Sequence, residues 1–209
     1  MGQLDEAMSM RRLAGKTAVR PLSVYVHIPF CESLCYYCAC NKIITRHHDR
    51  ADEYLRYLDL EMLRYAQRLT SVSASGKTQT PVTKAHINQL HFGGGTPTFL
   101  SDEQLATLML SLRQHFVLED SGEFAIEVDP RTVSKQRLTH LQALGFNRLS
   151  LGVQDFDAKV QKAVHRVQPY ESVAELIAHA RGLGFQSINM DLIYGLPCQS
   201  LASMTQTLE

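Results

Sequence analysis

The stretch Ser23-Val-Tyr-Val-His-Ile28-Pro29-Phe30-Cys31-Glu-Ser-Leu-Cys35-Tyr-Tyr-Cys38-Ala-Cys40 decides how the rest of the chain is read. Ser23–Ile28 is rich in β-branched and aromatic residues and predicts a strand, which Pro29 ends. A cysteine loop follows at once. Outward from there, strand-like and helix-like segments alternate. An amphipathic helix opens near Asp49, with Ala51, Tyr54, Leu55, Leu58, Met62 and Tyr65 at helical spacing. Ser71–Pro81 is polar and full of turn formers, and reads as a surface loop or insertion. Ile87–Phe92 predicts a second strand running into Gly93-Gly94-Gly95-Thr96-Pro97. Ser101 and Gln104 make a capping-box pattern ahead of a helix whose buried stripe is Leu105, Leu108, Met109, Leu112 and Phe116. Glu123–Val128 predicts a third strand, leading to Asp129-Pro130-Arg131 and a helix that stops at Gly145. Arg148–Gln154 is the fourth strand. Two helical pieces follow, the second ending near Gly184, and Ser187–Tyr194 is the fifth strand.

Strand–helix alternation at spacings of about 25 to 60 residues argues a parallel sheet with helical crossovers. The fold class is α/β, a partial (β/α) parallel barrel of about five strand–helix units, with a doubly wound open sheet as the alternative. In such a barrel, functional residues gather at the strand C-termini. The cysteine loop, the glycine run, Glu127, Gln154 and Asp191 all fall at or near predicted strand ends, which points to one shared site. The expected division is an N-terminal extension over 1–20, poorly ordered, and a core over 21–209. Leu201–Glu209 looks like the opening of a helix with no strand after it, so the barrel is expected to be truncated.

Four cysteines lie within ten residues, spaced CxxxCxxCxC. Thiolates are soft ligands that select iron–sulfur clusters, zinc or cuprous copper. Cys31, Cys35 and Cys38 can close around one cluster, with Cys40 an ambiguous fourth. Cubane clusters usually take four cysteines, so three ligands leave one iron open to a small chelating ligand. A zinc site completed from His27, His47 and His48 is the rival reading. A disulfide framework fits less well, because five cysteines leave one unpaired and no secretory signal is seen. Buried core cysteines sit poorly beside Glu32, Ser33, Asn41 and Lys42.

The chain has 209 residues, with 21 Lys and Arg against 21 Asp and Glu. A formal net charge of zero gives no long-range attraction for nucleic acid or acidic membranes. No apolar run approaches a membrane span. Neither nucleic acid nor membrane is therefore expected as a partner. Free cysteines without a signal point to a cytoplasmic location.

Tyr25-Val-His-Ile-Pro-Phe-Cys31, the cysteine loop and Cys40-Asn-Lys-Ile43 resemble radical S-adenosylmethionine enzymes, and among them the oxygen-independent coproporphyrinogen III oxidases (dehydrogenases) of haem biosynthesis. So do Leu90–Pro97, Ile126–Arg131, Phe146–Phe156 and Asp191–Pro197, over a match that runs from about Pro21 to the chain end. The resemblance implies a radical SAM barrel with a [4Fe-4S] cluster on Cys31, Cys35 and Cys38. It implies reductive cleavage of S-adenosylmethionine, and conversion of two propionates of coproporphyrinogen III to vinyls, giving protoporphyrinogen IX. An unidentified low-potential electron donor and an electron acceptor are implied, and a monomer is expected.

The family site is described as holding two S-adenosylmethionine molecules. By position, Tyr25, Gly94 and Glu127 fall where the first is held. Tyr37, Gly95, Thr96, Gln154, Arg166 and Asp191 fall where the second is held. Glycine admits close backbone approach, carboxylates accept from ribose hydroxyls, and arginine pairs with a carboxylate as a fork. Each residue also has a plainer reading: a turn for the glycines, salt-bridge carboxylates for Glu127 and Asp191, backbone satisfaction for Gln154, core for Tyr25, and solvated charge for Arg166. Cys40 stands where the oxidases carry a fourth cysteine that matters for activity without holding the cluster, whereas the related haem chaperones typically have phenylalanine near this point. Lys42, Arg46, Arg131 and Arg148 are candidates for the substrate carboxylates. Cys198 has no assigned role. The Tyr-Thr-Ser-Tyr-Pro-like arm, the rest of the barrel and the C-terminal helical domain are not found, so the chain is expected to be incomplete for turnover. A haem chaperone or a non-catalytic cluster-binding remnant are the other outcomes.

Overall fold

The computed structural model describes residues 21–74 and 84–209. The expected extension over 1–20 lies outside them, as does most of the Ser71–Pro81 loop. Strand β1 (Leu22–Ile28) ends at Pro29, which has no N–H to carry a ladder onward. Strands β2 (Phe30–Cys31) and β3 (Ile43–Ile44) pair in parallel and close the cysteine segment between them. Helix α1 (Arg50–Ala74) runs through Ser71–Ala74, where a loop is expected from composition. Ala51 and Met62 of its predicted stripe are buried, whereas Tyr65 is exposed.

Strand β4 (His86–Gly94) carries the first two glycines of the run, and a short 3-10 turn, Pro97–Phe99, leads to α2 (Asp102–His115). Its whole predicted stripe is buried. Strand β5 (Val117–Val128) starts at Val117 rather than Glu123, and a second 3-10 turn, Pro130–Thr132, precedes α3 (Lys135–Ala143). Gly145 takes φ +102°, the left-handed turn that its place after the helix requires. Then come β6 (Arg148–Gln154), α4 (Ala158–Ala163), α5 (Tyr170–Gly182), β7 (Ser187–Leu192) and α6 (Leu201–Leu208).

The main sheet has the order β1-β4-β5-β6-β7, so each strand lies beside the one before it in this chain order. A doubly wound sheet reverses at a switch point, and this one does not; the order is that of a barrel segment. Strands β5, β6 and β7 are parallel, with Ala125 opposite Arg148 and Arg148 opposite Ser187. The β6–β7 register shifts between Gly152 and Gln154, where Gln154 takes φ +69°.

Contacts divide the described chain into two compact units, one from 21–24, 49–74, 84–90 and 103–122, the other from 25–48, 91–102 and 123–209. In the first, Ile87, Leu90, Leu105, Met109 and Leu112 are fully shielded, and Asp59 accepts from Ser111 and from His115. In the second, alternate residues of β5 and β6 (Phe124, Ile126, Val128; Leu149, Leu151, Val153) are buried. Phe92 meets Phe146 edge-on, with centroids 5.1 Å apart. The second unit carries every residue of the predicted site.

Candidate functional site

The cysteine segment is held by backbone before any ligand is considered. Ile43 N donates to Pro29 O at 2.6 Å, and Thr45 N to Cys31 O at 2.9 Å. Lys42 Nζ bonds the carbonyls of Cys38 and Cys40 at 2.8 and 3.3 Å, so its charge folds the loop tip. Cys31, Cys35, Cys38 and Cys40 are all free thiols and all line one cleft of about 1110 Å³. Cys35 is buried, Cys31 and Cys38 are half-buried, and Cys40 is exposed. Cys31 Sγ lies 3.3 Å from Thr96 Oγ1. Burial, then the neighbouring Cys38 and Cys35, push the Cys31 thiol up despite the Thr96 contact. The Cys31 thiol thus resists shedding its proton until a cation compensates it.

The glycine run forms the adjacent wall. Gly95 N donates to Ile28 O and Thr96 N to Phe30 O, both at 2.8 Å. A Cβ on Gly95 would sit 2.8 Å from Phe30 O, so only hydrogen fits there. Gly94 has φ +116°, and its N–H reaches Glu127 Oε2 at 3.2 Å. Glu127 also accepts from His91 Nε2 at 3.0 Å. Tyr25 stacks on His91 at 5.7 Å and its hydroxyl lies 3.2 Å from His27 Nδ1. Tyr25 is 56 % exposed on β1, so the core reading of this residue fails.

The remaining strand ends complete the cleft. Asp191 accepts from Ser150 Oγ at 3.0 Å and from Asn189 Nδ2 at 2.8 Å. Gln154 receives Ile193 N on its own carbonyl at 3.0 Å and holds a left-handed conformation rare outside glycine. Tyr37 packs against Val160, Val164 and Leu196, and its phenol is pushed up by burial, with Arg166 opposing. Of the predicted site residues, all but Tyr25 line the cleft.

Arg166 is a correction to the solvated-charge reading. Its side chain is only 9 % exposed. Nη1 reaches Asp129 Oδ2 at 3.2 Å and Cys35 Sγ at 3.4 Å, and Nη2 reaches Gly152 O at 2.7 Å. Arg131 grips the same carboxylate, Nη2 to Oδ2 at 2.7 Å and Nε to Oδ1 at 3.0 Å. Burial alone would raise the Asp129 pKa, but hydrogen bonds from Arg131 and the charges of Arg166 and Arg131 hold it below the usual carboxylate range. Sequence reasoning passed over Asp129; its only local signal is the Asp-Pro-Arg turn, where its side chain caps Arg131 N at 3.0 Å. Arg131 is thereby committed to the protein, as is Arg148, paired with Glu123 at 2.6 Å. Of the four candidate substrate cations, Arg46 is exposed and Lys42 folds the loop.

His27 Nε2 lies 2.9 Å from Asn41 O, and His48 is shared between Phe99 O at 3.0 Å and Glu32 at 3.2 Å. Among the described residues no three His, Cys, Asp or Glu side chains are placed to hold a single metal ion. The donor set suits a larger group: soft thiols, a glycine wall open to close approach, and two guanidinium groups to balance anionic charge.

Residues 25–209 match the model of the radical SAM superfamily. The chain is 48 % identical over 190 residues to the oxygen-independent coproporphyrinogen III oxidase of Escherichia coli K12, covering 91 % of this chain and 39 % of that protein. Against the enzyme of the same name from Pseudomonas aeruginosa it is 46 % identical over 211 residues, covering 100 % and 43 %. Among solved structures, the coproporphyrinogen III oxidase HemN of Escherichia coli, described as a radical SAM enzyme, superposes with a TM-score of 0.84 at 46 % identity over 96 % of this chain and 43 % of that one. The radical S-adenosylmethionine methyltransferase TsrM of Kitasatospora setae, at 10 % identity and a TM-score of 0.56, shares the fold. The chain thus spans about two-fifths of the length of the curated relatives it matches.

Proposed function

Because this chain belongs to the radical SAM superfamily, whose members work through a [4Fe-4S] cluster and S-adenosylmethionine, we propose that it forms the cluster- and cofactor-binding part of an oxygen-independent coproporphyrinogen III oxidase. One observation carries the reading: three free thiols at CxxxCxxC spacing open on the same cleft as the glycine run and the strand-end residues Glu127, Gln154 and Asp191. Cys31, Cys35 and Cys38 are the cluster ligands. Cys40, on the exposed rim, is left for the substrate side.

When bound, the cluster and S-adenosylmethionine supply a carbon radical able to take hydrogen from an unactivated carbon. The chain's own residues bind and orient. Tyr25, Gly94 and Glu127 serve one S-adenosylmethionine, with the Glu127 carboxylate accepting from ribose hydroxyls. Tyr37, Gly95, Thr96, Gln154, Arg166 and Asp191 serve a second. Each propionate loses one hydrogen atom, one carbon dioxide and one electron to become a vinyl. The bound cofactor would take up the hydrogen, an external acceptor would take the electron, and an external low-potential donor would supply the reducing electron. The site's free thiols suit a reducing cytosol, and no described helix is long and apolar enough to cross a membrane.

Anaerobic reconstitution with iron and sulfide tests the cluster. Broad visible sulfide-to-iron absorption is expected, lost in Cys31→Ala, Cys35→Ala and Cys38→Ala but kept in Cys40→Ala. Dithionite and S-adenosylmethionine should then release 5′-deoxyadenosine. In a full-length protein, coproporphyrinogen should give divinyl product. Stoichiometric haem binding without carbon dioxide release would replace the oxidase by a haem chaperone, and absence of any iron absorption would sink both.

A further inference from the structure

The three thiols are not equivalent in their surroundings. Cys31 Sγ has a neutral partner, the Thr96 hydroxyl. Cys35 Sγ has two guanidinium groups, Arg166 Nη1 at 3.4 Å and Arg131 Nη2 at 3.5 Å. Both arginines line the cleft with Cys35, and both are held by one carboxylate. Asp129 accepts from Arg131 Nε at 3.0 and 3.2 Å, from Arg131 Nη2 at 2.7 Å and from Arg166 Nη1 at 3.2 Å. The Asp129 and Arg166 side chains are 8 and 9 % exposed, and Arg131 22 %. Two backbone carbonyls fix the outer edges of the forks, Gly152 O on Arg166 at 2.7 Å and His165 O on Arg131 at 3.4 Å.

Charge arithmetic gives this arrangement its meaning. Two guanidinium groups and one carboxylate leave one net positive charge, away from bulk water and against a single sulfur. Salt and solvent screen such a charge far less than one on the surface. Iron–sulfur potentials are set by net charge, by hydrogen bonds to the sulfurs and by solvent exposure, and this network supplies the first two at Cys35. An added electron is stabilised by nearby positive charge, so the oxidised form gains less from the network than the reduced form.

We propose that Asp129, Arg131 and Arg166 form a charge clamp on the Cys35 thiolate that raises the reduction potential of the cluster, with Arg131 as the tuning residue and Asp129 as the positioning residue that aims both guanidinium groups. The inference rests on the cluster reading of the preceding subsection. It gives the external donor an easier one-electron reduction, which S-adenosylmethionine cleavage requires.

The test is an anaerobic redox titration of the reconstituted chain, followed by the electron paramagnetic resonance signal of the reduced cluster, in wild type, Arg131→Gln, Arg131→Lys and the control Arg148→Gln. Arg148 is paired with Glu123 and does not line the cleft. Arg131→Gln should take up iron and sulfide as wild type does and shift the reduced-to-oxidised ratio at fixed potential about tenfold toward oxidised, equivalent to about 59 mV for one electron. Arg131→Lys keeps the charge and loses the fork, so its midpoint should fall between the two, and Arg148→Gln should not move. An unchanged midpoint in Arg131→Gln, or equal shifts in the glutamine and lysine variants, overturns the clamp while leaving the cluster reading intact. If Arg131→Gln takes up no iron, Arg131→Lys carries the test alone, and a full tenfold shift in it overturns the inference. Failure of wild type to take up a cluster instead strikes the preceding reading.

Discussion

Removing the Asp129 carboxylate tests whether the buried charge network holds this half of the fold together as well as its chemistry. Asp129→Ala deletes five contacts that the carboxylate accepts, four from Arg131 and one from Arg166, and strands Arg166, which is 9 % exposed, beside Cys35. Breaking a buried ion pair by removing one partner costs about 3–5 kcal/mol, because the other charge stays desolvated. For a chain of this size each kcal/mol is worth about 2–4 °C in Tm, so differential scanning calorimetry should show a fall of about 6–20 °C. The sign of the pH dependence follows from the direction of the shift. Asp129 is held below the ordinary carboxylate range, so its stabilisation is present above about pH 4 and is lost as pH falls through the lowered folded value. Asp129→Asn should therefore lose less stability than wild type on acidification below about pH 4. A Tm within about 2 °C of wild type for Asp129→Ala, or parallel acid profiles for wild type and Asp129→Asn, would refute the reasoning.

Three other outcomes are expected. Gln154→Gly relieves a left-handed residue at φ +69° and should raise stability by about 1 kcal/mol while weakening S-adenosylmethionine binding in calorimetric titration; a lower Tm would show that the side chain, not the backbone, dominates there. Gly95→Ala forces a Cβ to 2.8 Å from Phe30 O, backbone that cannot swing aside, and should cost about 1–3 kcal/mol in urea unfolding and abolish cluster uptake, with full uptake counting against the glycine wall. Phe92→Ala empties a fully buried site against Phe146 and should cost about 3–5 kcal/mol without altering the thiol set, checked by unfolding and by thiol counting in the folded state.

The parts legible in sequence are those set by local spacing. The cysteine loop, the glycine run, the Arg148–Gln154 strand and the stripe of α2 were all readable, because periodicity and proline or glycine punctuation fix them over a few residues. What could not be read depends on partners distant in sequence. Asp129 meets Arg166 across 37 positions, and a lone carboxylate before Pro130 carries no mark of that. Arg166 reads as a surface charge until its burial is seen. The β2–β3 pair has two residues a side, too short for any pattern. The extension of α1 through Ser71–Ala74 runs against a composition that favours turns, an instance of weak local preference yielding to the helix already formed.

That two-residue ladder has a bearing on the protein's life in air. A zinc finger is built by its metal and collapses when the metal leaves. Here Phe30 lies opposite Ile43 and Cys31 opposite Ile44, and the segment's ends are stitched to Pro29, Cys31 and the Thr96 amide by main-chain bonds alone. The loop is thus a socket shaped by the polypeptide. If oxygen strips iron from it, these main-chain bonds are expected to hold the ends of the socket in place for refilling.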